Sequence, residues 1–207
     1  IEDVKTAKKV DQTVNSSELV TAATQYAAIV NNQLKGDNKY YLGDGNAKVT
    51  AEIKKLVGEK GARTAKEVNA LSGEAIALVT TLPTVGAVDA ALDAADDAVK
   101  ALPRTAMVGD KALVDAAIAA VDAYEKLSAK TYSGTAVSNA VLQYAYAVNN
   151  ELAAKVKAVD KTDKAAIKAL KGEIKTFVDT YEDYAAADAV ANVFKTNKDK
   201  LQGYLDD

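Results

Sequence analysis

One ten-residue stretch constrains this chain more than any other. Gln25-Tyr26-Ala27-Ala28-Ile29-Val30-Asn31-Asn32-Gln33-Leu34 returns as Gln143-Tyr144-Ala145-Tyr146-Ala147-Val148-Asn149-Asn150-Glu151-Leu152. The shared pattern, Q-Y-A-x-x-V-N-N-x-L, is too dense for coincidence and reads as an internal duplication. In the first copy Leu19, Ala23, Tyr26, Val30 and Leu34 recur at steps of three and four, and Val137, Val141, Tyr144, Val148 and Leu152 hold the same places in the second. Such steps draw one apolar stripe along a helix. The stripe predicts equal burial, and an equal stability cost of truncation, for Tyr26 and Tyr144. Asparagine is a poor residue for a helix interior, so its recurrence asks for a reason. Two are open: a part-buried amide fixing helix register, or a polar contact for a partner.

The rest of the chain agrees with helix. Roughly a fifth of its 207 residues are alanine and only two are proline; alanine is the strongest helix former. Asn15-Ser16-Ser17 offers caps for the first repeat helix, and Gly36 closes it. A second helix is predicted from Ala47 to about Glu59, with Val49, Ile53, Leu56 and Val57, and a third from Thr64 to Thr81. The second copy answers with helices from about Lys164 to Thr180 and from about Asp183 to Lys200. Between the copies, Leu82-Pro83 and Leu102-Pro103 mark helix stops. Val85, Val88, Leu92, Ala95, Val99 and Leu102 form a short heptad seam between them. Asp89, Asp93, Asp96 and Asp97 lie on the same segment and read as a solvated acidic face, with a cation site as the alternative. Asp110 is expected to cap a further helix to about Leu127. The expected fold is therefore all-α: duplicated three-helix bundles at 1–82 and 129–207, joined by connecting helices at 83–128. Successive bundles that touch mainly their sequence neighbours predict an elongated molecule.

Much chemistry is excluded by composition. Without histidine or cysteine, neither a Ser-His-Asp nor a Cys-His arrangement can form, nor a zinc-thiolate site. No phosphate-cradling glycine motif stands between a strand and a helix. Adjacent carboxylates such as Asp96-Asp97 point away from one another on a helix. The net charge of −3, with lysines and acids mixed along the chain, shows no basic stripe, so nucleic acid is not an expected partner. No apolar run is long enough to span a bilayer. The chain begins at Ile1 without a secretory leader, as expected of a mature chain or an excised piece. No catalytic residue, cofactor or metal ligand is expected.

The longest irregular stretch, Asp37 to Asn46, is the one candidate site. Three readings are open. It is a plain helix connection; or a weak calcium loop using Asp37, Asn38, Asp44 and Asn46, although its spacing departs from the EF-hand; or a sugar- or protein-binding loop presenting Tyr40 and Tyr41. The replacement in the second copy, Val159-Asp160-Lys161-Thr162-Asp163, has no tyrosine.

Val99-Lys100-Ala101-Leu102-Pro103, Val108-Gly109-Asp110-Lys111-Ala112-Leu113-Val114 and the run from Ala116 to Ser128 around Tyr124 resemble a helical segment of Gram-positive S-layer and other cell-wall-associated surface proteins. The resemblance implies an exported, extracellular structural domain at the cell surface or cell wall, acting in assembly or as a spacer. Its implied partners are other copies of itself or cell-wall components. The alternative expectation is an adhesin-like module that binds a glycan or protein through the Tyr40-Tyr41 loop.

Overall fold

The computed structural model describes residues 16–43, 47–58 and 65–206. Asp44, Asn46, the charged segment before Asn15 and the Gly61 break lie outside them. Among the described residues there are eight α-helices and no strand. They are α1 (Ser16–Gln33), α2 (Ala47–Gly58), α3 (Ala65–Val79), α4 (Val85–Lys100), α5 (Lys111–Ser128), α6 (Ala136–Ala158), α7 (Lys164–Tyr181) and α8 (Ala189–Asp206). The all-α expectation holds, and both Leu-Pro pairs fall just beyond a helix end.

The chain divides into two compact units, residues 1–92 with 123–131 and residues 93–122 with 132–207. The residues of the central segment are shared between them, with the division falling inside α4 and inside α5.

In the first unit α1 packs on α2 and α3. Its core is Leu19, Ala23, Ala27, Val49, Ile53, Ala75, Val79 and Leu82. Three of these eight are alanines, so helix axes approach closely and little room is left for a large ring. The buried line on α1 accordingly runs Leu19, Ala23, Ala27, and Tyr26, one step aside, remains 36 % exposed. This corrects the expected stripe.

In the second unit α6 and α7 both pack on α8. Val141, Tyr144, Ala145, Leu152, Ile167, Ile174, Tyr181, Val190, Phe194 and Leu201 are buried there. Tyr144 is only 5 % exposed because it has aromatic partners. Both phenylalanines of the chain are in this unit. Phe177 lies 5.3 Å from Tyr144, 4.7 Å from Tyr181 and 5.0 Å from Phe194, measured between ring centroids. The separations are typical of favourable aromatic pairs.

Local signals explain most boundaries. Asp163 caps α7, its Oδ1 accepting from the N–H groups of Ala165 and Ala166 at 3.1 and 2.9 Å. Asp110 precedes α5, and its carboxylate turns back to accept from the Met107 N–H at 2.7 Å. The last helix starts later than the expected Asp183. Glu182–Tyr184 form a 3₁₀ turn, Asp188 adopts φ +59°, and α8 opens at Ala189.

Candidate functional site

The tyrosine loop begins at Gly36, which has φ +50° and opens a 3₁₀ turn through Asn38. Beyond it the backbone is fastened at three points. The Asn31 side chain grips Tyr40 on both backbone groups: Nδ2 donates to the carbonyl at 3.0 Å, and Oδ1 accepts from the N–H at 2.8 Å. The Tyr41 N–H donates to the Pro83 carbonyl, and the Val85 N–H to the Lys39 carbonyl, each at 2.8 Å. These bonds frame an isolated antiparallel bridge between Tyr40 and Thr84. Asp37 packs so tightly on the start of α4 that a Cβ on Gly86 would stand 2.6 Å from its own Cβ.

Tyr40 and Leu42 pack against the first core. Tyr41 is half-buried, with the Lys130 Nζ 5.9 Å from its ring centroid. Of the six expected loop residues, Asp37 and Asn38 keep exposed side chains, Tyr40 and Tyr41 are partly covered, and Asp44 and Asn46 lie outside the described residues. Among the described residues no cluster of three acids forms that would hold a metal ion.

Asn149, at the place in the second motif that Asn31 holds in the first, has a related task. The amide of Asn197, buried on α8, donates from Nδ2 to Asn149 Oδ1 at 2.8 Å and to its carbonyl at 3.2 Å. The second asparagines, Asn32 and Asn150, are exposed. The first asparagine in each motif therefore fastens its helix to another segment of the same unit, a use suited to a part-buried amide.

In the second unit the phenol groups play the same part. The Tyr181 hydroxyl donates to Asp115 Oδ1 at 2.6 Å, the other carboxylate oxygen of Asp115 takes Lys111 Nζ, and that ammonium sits 6.0 Å from the Tyr181 ring centroid. Tyr184 donates to Asp122 at 2.9 Å and Tyr132 to Asp96 at 2.6 Å. Burial, reinforced by Asp115, pushes the Tyr181 phenol up to about 12. The hydrogen bond to Asp96, together with burial, does the same for Tyr132, also to about 12. Burial opposes ionisation of Asp115, yet the hydrogen bonds from Lys111 and Tyr181 hold its carboxyl below the usual range. Its bond to Asp115 raises Lys111 above the ordinary lysine range. All three groups of the Lys111–Asp115–Tyr181 cluster are thus displaced away from neutrality. They hold fixed charge states at pH 7 and are poorly matched to proton transfer there.

These shifts carry an alkaline prediction. A free tyrosine ionises near pH 10. A folded-state value near 12 means that the native unit keeps its proton where the unfolded chain loses it. The stabilisation is full below about pH 10 and is lost as pH rises toward about 12. Followed by phenolate absorbance and circular dichroism together, the late-titrating tyrosines should ionise as helicity falls. Complete phenolate formation near pH 10 with helicity intact would contradict this.

Two grooves flank α7. One, about 610 Å³, is floored by Tyr144, Val148, Leu152 and Phe177 and crossed by a 3.0 Å ion pair between Lys155 and Glu173. The other, about 430 Å³, lies between α7 and α8 over Ile174, Val178 and Ala191, with Lys171, Lys175 and Lys198 around it. Along the chain the lysines are set apart by apolar residues and glycine, with Glu173 the one acid between Lys164 and Lys175. Helical spacing reveals their edge: Lys164, Lys168, Lys171 and Lys175 recur at steps of four, three and four and share one face of α7. This corrects the expectation of no basic stripe.

No family model, curated protein or solved structure matches this chain.

Proposed function

We propose that this chain is a non-catalytic structural domain of a bacterial cell-surface, S-layer-like protein, acting outside the cell in assembly or as a spacer. One observation carries the reading: among the described residues, several part-buried polar side chains are engaged in holding helices and loops of the same unit together. Asn31 clamps Tyr40, Asn197 holds Asn149, and Tyr132, Tyr181 and Tyr184 each donate to an aspartate at least 36 residues distant in sequence. The resemblance of residues Val99 to Ser128 to surface-protein helices supports the same reading. So does the repeated Q-Y-A motif, followed in each unit by two further helices, which we read as a duplication. Among the described residues no helix is long and apolar enough to cross a membrane.

The partners are other copies of the chain or cell-wall components. Co-sedimentation with purified Gram-positive wall fragments tests this, comparing the wild type with the Tyr40→Ala/Tyr41→Ala variant. Retention of both proteins on the walls is expected. Loss of binding in the variant alone would instead favour a loop-mediated adhesin.

A further inference from the structure

We infer that the lysine-edged groove between α7 and α8 receives the acidic face of α4 from a second copy of this chain. The inference rests on the assembly reading above and names the surfaces that would make the contact. Lys164, Lys168, Lys171 and Lys175 fall within about 60° of one another around α7 and span about 16 Å of its length. Asp179, the acid at the groove, pairs with Lys175 and offsets its charge, so the net positive edge is Lys164, Lys168 and Lys171 of α7 with Lys198 of α8. The groove floor is apolar, formed by Ile174, Val178 and Ala191. At Gly172 nothing lies within 4 Å of the place a Cβ would occupy, so the α7 wall is open there.

The helix that suits this groove must be acidic and slim. On α4, Asp89, Asp93 and Asp97 are exposed and recur every four residues, about 6 Å apart along the axis. The lysines opposite are spaced by four, three and four residues, so the two charge rows share a pitch. Ala90 and Ala94 are exposed on that side of α4 and are small enough for close approach to an apolar floor. Charge complementarity of this kind sets partner and register. Because the two surfaces differ, the contact is heterologous and repeats from copy to copy unless a ring closes.

The test is sedimentation velocity over a concentration series at about 20 mM and about 500 mM salt, where screening lengths differ severalfold. The wild type should self-associate at low salt and dissociate at high salt. Lys168→Glu/Lys198→Glu and Asp93→Lys/Asp97→Lys should each weaken self-association at low salt by about tenfold or more, with helicity unchanged. Mixing the two variants pairs each reversed surface with its complement and should restore association. Gly172→Leu, which fills the opening without altering charge or helix propensity adversely, should also weaken it. Association of equal strength in the reversed variants would overturn the α4–groove contact while leaving assembly intact. A wild type that stays monomeric throughout would overturn both.

Discussion

Tyr144→Ala should destabilise the second unit by about 3–5 kcal/mol, whereas the matching Tyr26→Ala should cost the first unit less than about 1 kcal/mol. The two residues occupy the same place in the repeated motif, so sequence alone assigns them equal weight. Their surroundings differ. Tyr144 is 5 % exposed and its ring centroid lies 5.3 Å from that of Phe177 and 5.6 Å, edge-on, from that of Tyr181. Removing it leaves a cavity beneath an aromatic cluster that cannot collapse freely. Tyr26 is 36 % exposed at the margin of an alanine-rich core. For a unit near 100 residues, the Tyr144 loss corresponds to a fall in midpoint of about 10–20 °C. Thermal or urea unfolding followed by circular dichroism reads both variants. Equal costs would contradict the assigned burial.

Gly86→Ala should destabilise the first unit by about 1–3 kcal/mol, although alanine is ordinarily the better helix residue by about 1 kcal/mol. The reversal of sign has one cause. A methyl group at residue 86 would stand 2.6 Å from Asp37 Cβ and 3.3 Å from the Asp37 carbonyl oxygen. The loop cannot easily retreat, because Asn31 and the Pro83 and Val85 backbone groups fasten it immediately beyond. Gly73→Ala, in α3 of the same unit, is the control. Nothing lies within 4 Å of its would-be Cβ, so stability should rise by about 0.5–1 kcal/mol. Stabilisation by both substitutions would show that the loop is not held against α4.

The helices were legible in the sequence because three- and four-residue apolar steps and Leu-Pro stops are local signals. Their burial was less legible. The rotation of α1 that exposes Tyr26 follows from the small alanines at 23 and 27 and from both phenylalanines being in the other unit, neither of which a shared motif expresses. The late start of α8 reflects the 3₁₀ turn at Glu182–Tyr184 and the left-handed Asp188, which composition does not announce. At the candidate loop, the turn residues and the neighbouring tyrosines were visible. Their fastening was not, since Asn31, Pro83, Val85 and Gly86 come from two other stretches of the chain. The paired asparagines stand out because asparagine is a poor helix-interior residue, but Asn197, the partner of Asn149, carries no local mark. The α7 lysines are separated along the chain by alanine, isoleucine, leucine and glycine, and form a row only when placed on a helix.

The most direct measurement of a structural role at the cell surface is co-sedimentation with purified wall fragments followed by electron microscopy of the pellet. Saturable retention of the chain is expected, the same for the wild type and for Tyr40→Ala/Tyr41→Ala, with material coating the fragments. A chain that remains entirely in the supernatant at every concentration, leaving bare walls, would contradict it.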